Sequence, residues 1–119
     1  GTDMGGNQVK VKFFWESSNL HRVWDSGLID YWKMSYTEYS TLIMSTVTPE
    51  HIQSWKGTTT KDWVRESVEM REQCYSTMGD PERMGYRYVY DNTELLHLRL
   101  AQAGVRLADA LNQAYAARG

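Results

Sequence analysis

His21 and Asp25 stand four residues apart in the run Asn19-Leu20-His21-Arg22-Val23-Trp24-Asp25. On a helix that spacing puts an imidazole and a carboxylate on one face, one turn apart. Such a pair offers one nitrogen and one oxygen donor to a borderline metal such as zinc. The same two residues also read as a solvated helix face or a local hydrogen bond, because His-x-x-x-Asp spacing is common. The other reactive side chains point less clearly to chemistry. His51 follows Pro49 in a first helical turn and reads as solvated, and His97, between Leu96 and Leu98, reads as structural. Cys74 is the single cysteine, so no intrachain disulfide can form, and it reads as a small buried hydrophobe. Glu66, Glu69 and Glu72 read as a solvated face. Tyr86, Tyr88 and Tyr90 alternate as a strand-like stacking platform would, with core packing the preferred reading.

Positioning this pair falls to mostly helical elements. Met4-Gly5-Gly6-Asn7 reads as a tight turn. Residues 8–14 alternate as a short strand, and Trp15-Glu16-Ser17-Ser18 turns the chain. Asn19 is placed to cap a helix through Leu20, Val23, Trp24 and Leu28. Ser35 is a candidate cap for a helix over 36–46. Thr48 followed by Pro49 opens another through Ile52 and Trp55, closed by Gly57. Residues 60–76 carry Trp63, Val64, Ser67, Met70 and Cys74 on one face. A loop at Met78-Gly79-Asp80-Pro81 leads to the last helix, predicted over 92–117. Its stripe is Leu96, Leu100, Ala103, Gly104, Leu107 and Leu111, with Ala103 and Gly104 small enough to admit a neighbouring helix. The fold class is all-α with one short β element near the N-terminus.

The chain has 119 residues, enough for one packed core, and its apolar fraction of 41% argues against disorder. A formal charge of −2 argues against a polycationic nucleic-acid binder. Any nucleic acid would be held by metal ions and stacking rather than by bulk charge. No apolar run is long enough for a membrane span. The opening Gly1-Thr2-Asp3 has neither an initiating methionine nor a targeting segment, and reads as the interior of a longer chain.

Asp3-x-Gly5-Gly6-Asn7, a short strand, and Asn19-Leu20-His21-x-Val23-Trp24-Asp25 together resemble the signature of the S1/P1-type zinc nucleases, relatives of bacterial phospholipase C. Ala103-Gly104-Val105-Arg106-Leu107-Ala108, with Leu111-Asn112, is similar to the family's closing helix. The resemblance is dense over 3–30 and 93–113, looser between 35 and 90, and covers the C-terminal half of the family's single domain. It implies a helical bundle of the phospholipase C and zinc nuclease type. It further implies a cleft with three zinc ions, His21 and Asp25 being ligands of the one apart from the close pair. Asn7 becomes a nucleobase contact, its other reading being a turn residue, with Gly5, Gly6 and Met4 around it. The implied activity is metal-assisted hydrolysis of single-stranded DNA and RNA to 5′-phosphates, with 3′-nucleotidase action, in a secreted or periplasmic protein. The family's leading Trp, its early His, its further His and Asp pairs and its His-x-x-x-Asp-x-x-x-x-x-His motif are not in this sequence. The lone chain is therefore expected to hold one partial zinc site and to be inactive. The chain reads as part of that enzyme; the alternatives are a non-catalytic helical remnant or fragment, and a nicked two-chain enzyme in which the N-terminal half stays bound.

Overall fold

The computed structural model describes residues 4–118, Met4 by its backbone alone. After a short helical turn at Met4–Gly6, a two-stranded antiparallel hairpin pairs β1 (Lys10–Phe13) with β2 (Glu16–Asn19). The register runs from Lys10 opposite Asn19 to Phe13 opposite Glu16. Glu16–Asn19 is thus a strand rather than the predicted turn. The turn itself is only Phe14 and Trp15, both left-handed at φ 51° and 72°. Two positive-φ residues give a turn whose twist matches the strands, at some strain for aromatic side chains. The strain is held by docking. Lys12 N donates to Pro81 O and Phe14 N to Met84 O, while Met84 N donates back to Lys12 O. Phe14 also stacks on Tyr31 at 5.6 Å and meets Tyr86 edge-on at 5.0 Å.

Asn19 caps the next helical stretch, its side chain accepting from Arg22 N at 2.8 Å. That stretch is α1 (Leu20–Arg22), a wide π turn over Val23–Gly27, and α2 (Leu28–Asp30). The helix α3 (Tyr36–Met44) starts on a Ser35 capping box completed by Glu38. The helix α4 (Pro49–Lys56) starts on Thr48, with His51 Nδ1 accepting from Thr48 N. His51 is therefore part of a cap, and it also stacks on Trp55. The helix α5 (Thr60–Ser76) opens on Thr59 and Asp62, matching its predicted span. The helix α6 (Tyr86–Arg118) begins six residues before the expected start at 92, so the three alternating tyrosines lie in a helix. Only Tyr88 of the three is buried.

One core cluster gathers Val11, Leu20, Val23, Leu28, Tyr88 and Leu96 under the hairpin and the α1–α2 stretch. A second joins Tyr39, Ile43 and Trp55 to Ala101. His97 lies beside it, 3.1 Å from the Tyr39 hydroxyl, and burial lowers its proton affinity. Three expectations fail along α5 and α6. The face of α5 carrying Trp63 and Val64 is exposed, with only Cys74 buried. Gly104 meets open space where a Cβ would stand, and Leu107 and Leu111 are exposed, so the expected packing through these three residues is not seen among the described residues. Glu66 is not a solvated residue: both its oxygens accept from Arg106, at 2.8 and 2.9 Å, and Arg99 adds a third bond.

Those hydrogen bonds, Arg106 first, hold the Glu66 carboxyl below the ordinary 4.5. A depressed folded-state value gives stability present above the unfolded value and lost as pH falls through the folded one. Urea unfolding of wild type should weaken between about pH 6 and pH 3 more steeply than that of Glu66→Gln, which removes the titrating group. Equal slopes would show that the pair carries no stability.

Candidate metal centre

The Gly5-Gly6 turn exists to meet His21. Gly6 has φ 93°, and a Cβ there would stand 2.8 Å from His21 N. Only glycine permits both the backbone conformation and that approach. Val9 N donates to Gly6 O, and Leu20 N donates to Val9 O, tying the turn to the residue before His21. The side chain is tied as well: His21 Nδ1 lies 3.1 Å from Gly5 O. A carbonyl only accepts, so Nδ1–H is the donor in this contact, an arrangement that leaves Nε2 as the nitrogen facing away from Gly5 and the one able to offer a lone pair to a metal. That is the arrangement by which a second contact orients a metal-binding imidazole.

Asp25 lies within the π turn, and such turns recur at functional sites because they re-aim side chains without ending the helix. Gly5, Gly6, His21 and Asp25 all line one cavity of about 380 Å³. Its opposite wall is α5, through Met70, Arg71, Cys74 and Tyr75. The Arg71 guanidinium sits over the Tyr75 ring at 4.7 Å, placing a cation and an aromatic face in the same space. Trp24, also in the wall, donates through Nε1 to the Tyr88 hydroxyl at 2.8 Å. Burial pushes the Cys74 thiol up to about 11, so it stays protonated and is a poor donor to metal.

The structure thus brings His21 and Asp25 together with Gly5 and Gly6, and gives the glycines a role in holding the histidine. Asn7 is exposed in the following turn, and the described cavity lining does not include it. The Met4 side chain and Asp3 lie outside the described residues. Among the described residues, no group of three or more His, Cys, Asp or Glu side chains could hold a metal. The nitrogen donor, its contact to Gly5 and the carboxylate on one cavity fit zinc as part of a coordination shell, short of the four ligands a closed site takes. Sequence reasoning missed the π turn and the α5 wall. The periodicity of 60–76 could have signalled that wall, but not which element it faces.

The family model described as S1/P1 Nuclease matches residues 1–116. The chain belongs to the S1/P1 nuclease family. It is 26% identical over 128 residues to Endonuclease 2 of Arabidopsis thaliana, covering 96% of this chain and 44% of that protein. Endonuclease 5 of the same plant is 27% identical over 131 residues, covering 98% and 44%. The chain therefore spans less than half the length of these curated relatives. No helix among the described residues is long and apolar enough to cross a membrane.

The Gly6 contact makes a direct prediction. Gly6→Ala should cost about 1–3 kcal/mol in urea unfolding, from left-handed strain and the clash with the His21 backbone. Nitrogen-shift NMR of His21 should show the Nδ1-protonated ring in wild type and a tautomer mixture in the variant. An unchanged ring would separate the turn from the histidine.

Proposed function

We propose that this chain is the C-terminal part of a single-domain zinc-dependent endonuclease and 3′-nucleotidase acting on single-stranded DNA and RNA. The observation that carries the reading is the placement of His21, with its Nε2 able to offer a lone pair, and Asp25 on one cavity. His21 Nε2 and the Asp25 carboxylate would hold zinc, while Gly5 O fixes the ring against rotation. Bound there, the metal would supply Lewis-acid stabilisation of charge developing on a phosphodiester's leaving oxygen. Asn7 would contact a nucleobase through its amide, beside Gly5, Gly6 and Met4. Metal-assisted neutralisation accounts for a chain of net charge −2 handling a polyanion. Family resemblance supports a secreted or periplasmic location.

The 119-residue chain by itself would be inactive. Two donors leave a zinc shell incomplete, and affinity depends on completing it in a folded site.

Calorimetric titration of zinc into the chain should give weak binding, reduced at least about tenfold in His21→Ala and in Asp25→Ala. Equal affinities in all three proteins would remove the ligand assignment. Separately, the chain should not cleave single-stranded DNA in excess zinc. Turnover that vanishes with His21→Ala would overturn the partial-site reading while supporting the metal centre.

A further inference from the structure

The cavity that holds His21 and Asp25 carries one charge of each sign on opposite walls. Of the described residues lining it, Arg71 is the one Lys or Arg and Asp25 the one Asp or Glu. Arg71 stands on α5, and its guanidinium lies over the ring of Tyr75, 4.7 Å from the centroid. The two residues are four apart, so they share a helix face, and the electron-rich ring holds the cation at the cavity wall. Arg71 is exposed, so a ligand entering the cavity meets its charge without first opening the fold. Beside it the lining is apolar, through Leu20, Trp24 and Met70.

This combination suits one chemistry. A guanidinium is planar and donates two parallel N–H bonds to the oxygens of a phosphate, which an ammonium cannot do. A volume of about 380 Å³ is that of a small-ligand pocket, large enough for the sugar and base that adjoin a phosphate. The chain has no excess of cations, with a net charge of −2, so phosphate recognition falls to individual side chains. We propose that Arg71 binds a backbone phosphate of single-stranded nucleic acid in this cavity, with the adjoining sugar and base against Leu20, Trp24 and Met70. The inference rests on the nuclease reading and adds to the metal pair a residue that engages substrate with no metal present.

The test titrates the 119-residue chain, in excess chelator, with thymidylyl-thymidine, a dinucleotide holding a single phosphodiester, and separately with inorganic phosphate. Nitrogen–proton NMR should show a saturable shift of the Arg71 Nε–H signal with both, the dinucleotide binding more tightly. Arg71→Gln changes an exposed position and should keep the helical circular dichroism. It should weaken both ligands about tenfold or more, the loss of a charge-assisted pair of bonds. Arg71→Lys, which keeps the charge and loses the fork, should lie between. Asp25→Asn removes the opposing charge and should tighten binding about twofold or more. Arg87→Gln, exposed on α6 and outside the cavity lining, should change nothing. The proposal is overturned if neither wild type nor Asp25→Asn shifts the Arg71 signal, if Arg71→Gln binds as wild type does, or if Arg87→Gln weakens binding equally. The last result would mean a diffuse charge effect. Because no metal is present, failure here leaves the zinc roles of His21 and Asp25 standing, and loss of those roles in the zinc titration leaves Arg71 to be judged on its own signal.

Discussion

The Tyr88 hydroxyl ties three helical segments at one buried point. It donates to the Cys74 carbonyl at 2.9 Å and accepts from Trp24 Nε1 at 2.8 Å. Trp24 belongs to the stretch that carries His21 and Asp25, Cys74 to the far wall of their cavity, and Tyr88 to α6. One turn along, the fully buried Asn92 donates to Tyr88 O and to Thr77 Oγ1 and accepts from Gln73. Leaving any of these groups unpaired would cost about 1–3 kcal/mol, so the helices are held in one register, where a purely apolar seam could slide. Burial raises the Tyr88 phenol well above its ordinary value, which keeps it a donor throughout the working pH range. The width of the cavity follows from this clamp.

The hairpin supplies the second constraint. Its strained turn survives because Phe14 is locked by Tyr31, Tyr86 and the strand-like bond to Met84. From there the chain of contacts runs from Val9 to both Gly6 and Leu20, and so to the histidine ring. A side chain that is exposed is thus still oriented, because its backbone and its Nδ1 are fixed from the same glycine turn. Precision at His21 comes from backbone contacts, which do not depend on burying the imidazole.

What was legible in the sequence is what local physics decides. Asn19, Ser35 and Thr48 were readable as caps because their bonds close within three residues. The span of α5 and the His21–Asp25 face followed from periodicity. The strand Glu16–Asn19 was not readable: its polar residues have little strand preference, and it pairs only because Phe14 and Trp15 turn back with distant support. The early start of α6 was hidden by tyrosines alternating at strand spacing, although Tyr88 enters the core and Tyr86 the aromatic cluster from helical positions. The partnership of Glu66 with Arg106 spans 40 residues, and no local pattern encodes it. Neither does any pattern announce the π turn around Asp25.

The end of α6 persists as helix for a different reason from the rest. Beyond the Arg106–Glu66 pair, Leu107, Leu111 and Tyr115 are exposed, and most helices draw their stability from a packed face. Here intrinsic preference substitutes: Ala108, Ala110, Ala114, Ala116 and Ala117 sacrifice almost no side-chain freedom, and Gln113 bonds Asp109 one turn back. Alanine alone would make a soluble spacer. Leu107, Leu111 and Tyr115, spaced four apart, support the helix through side-chain contacts one turn apart, while much of their apolar surface stands in water at a cost. Their regular spacing gives the end of α6 one apolar face, on a segment whose own preference keeps it helical.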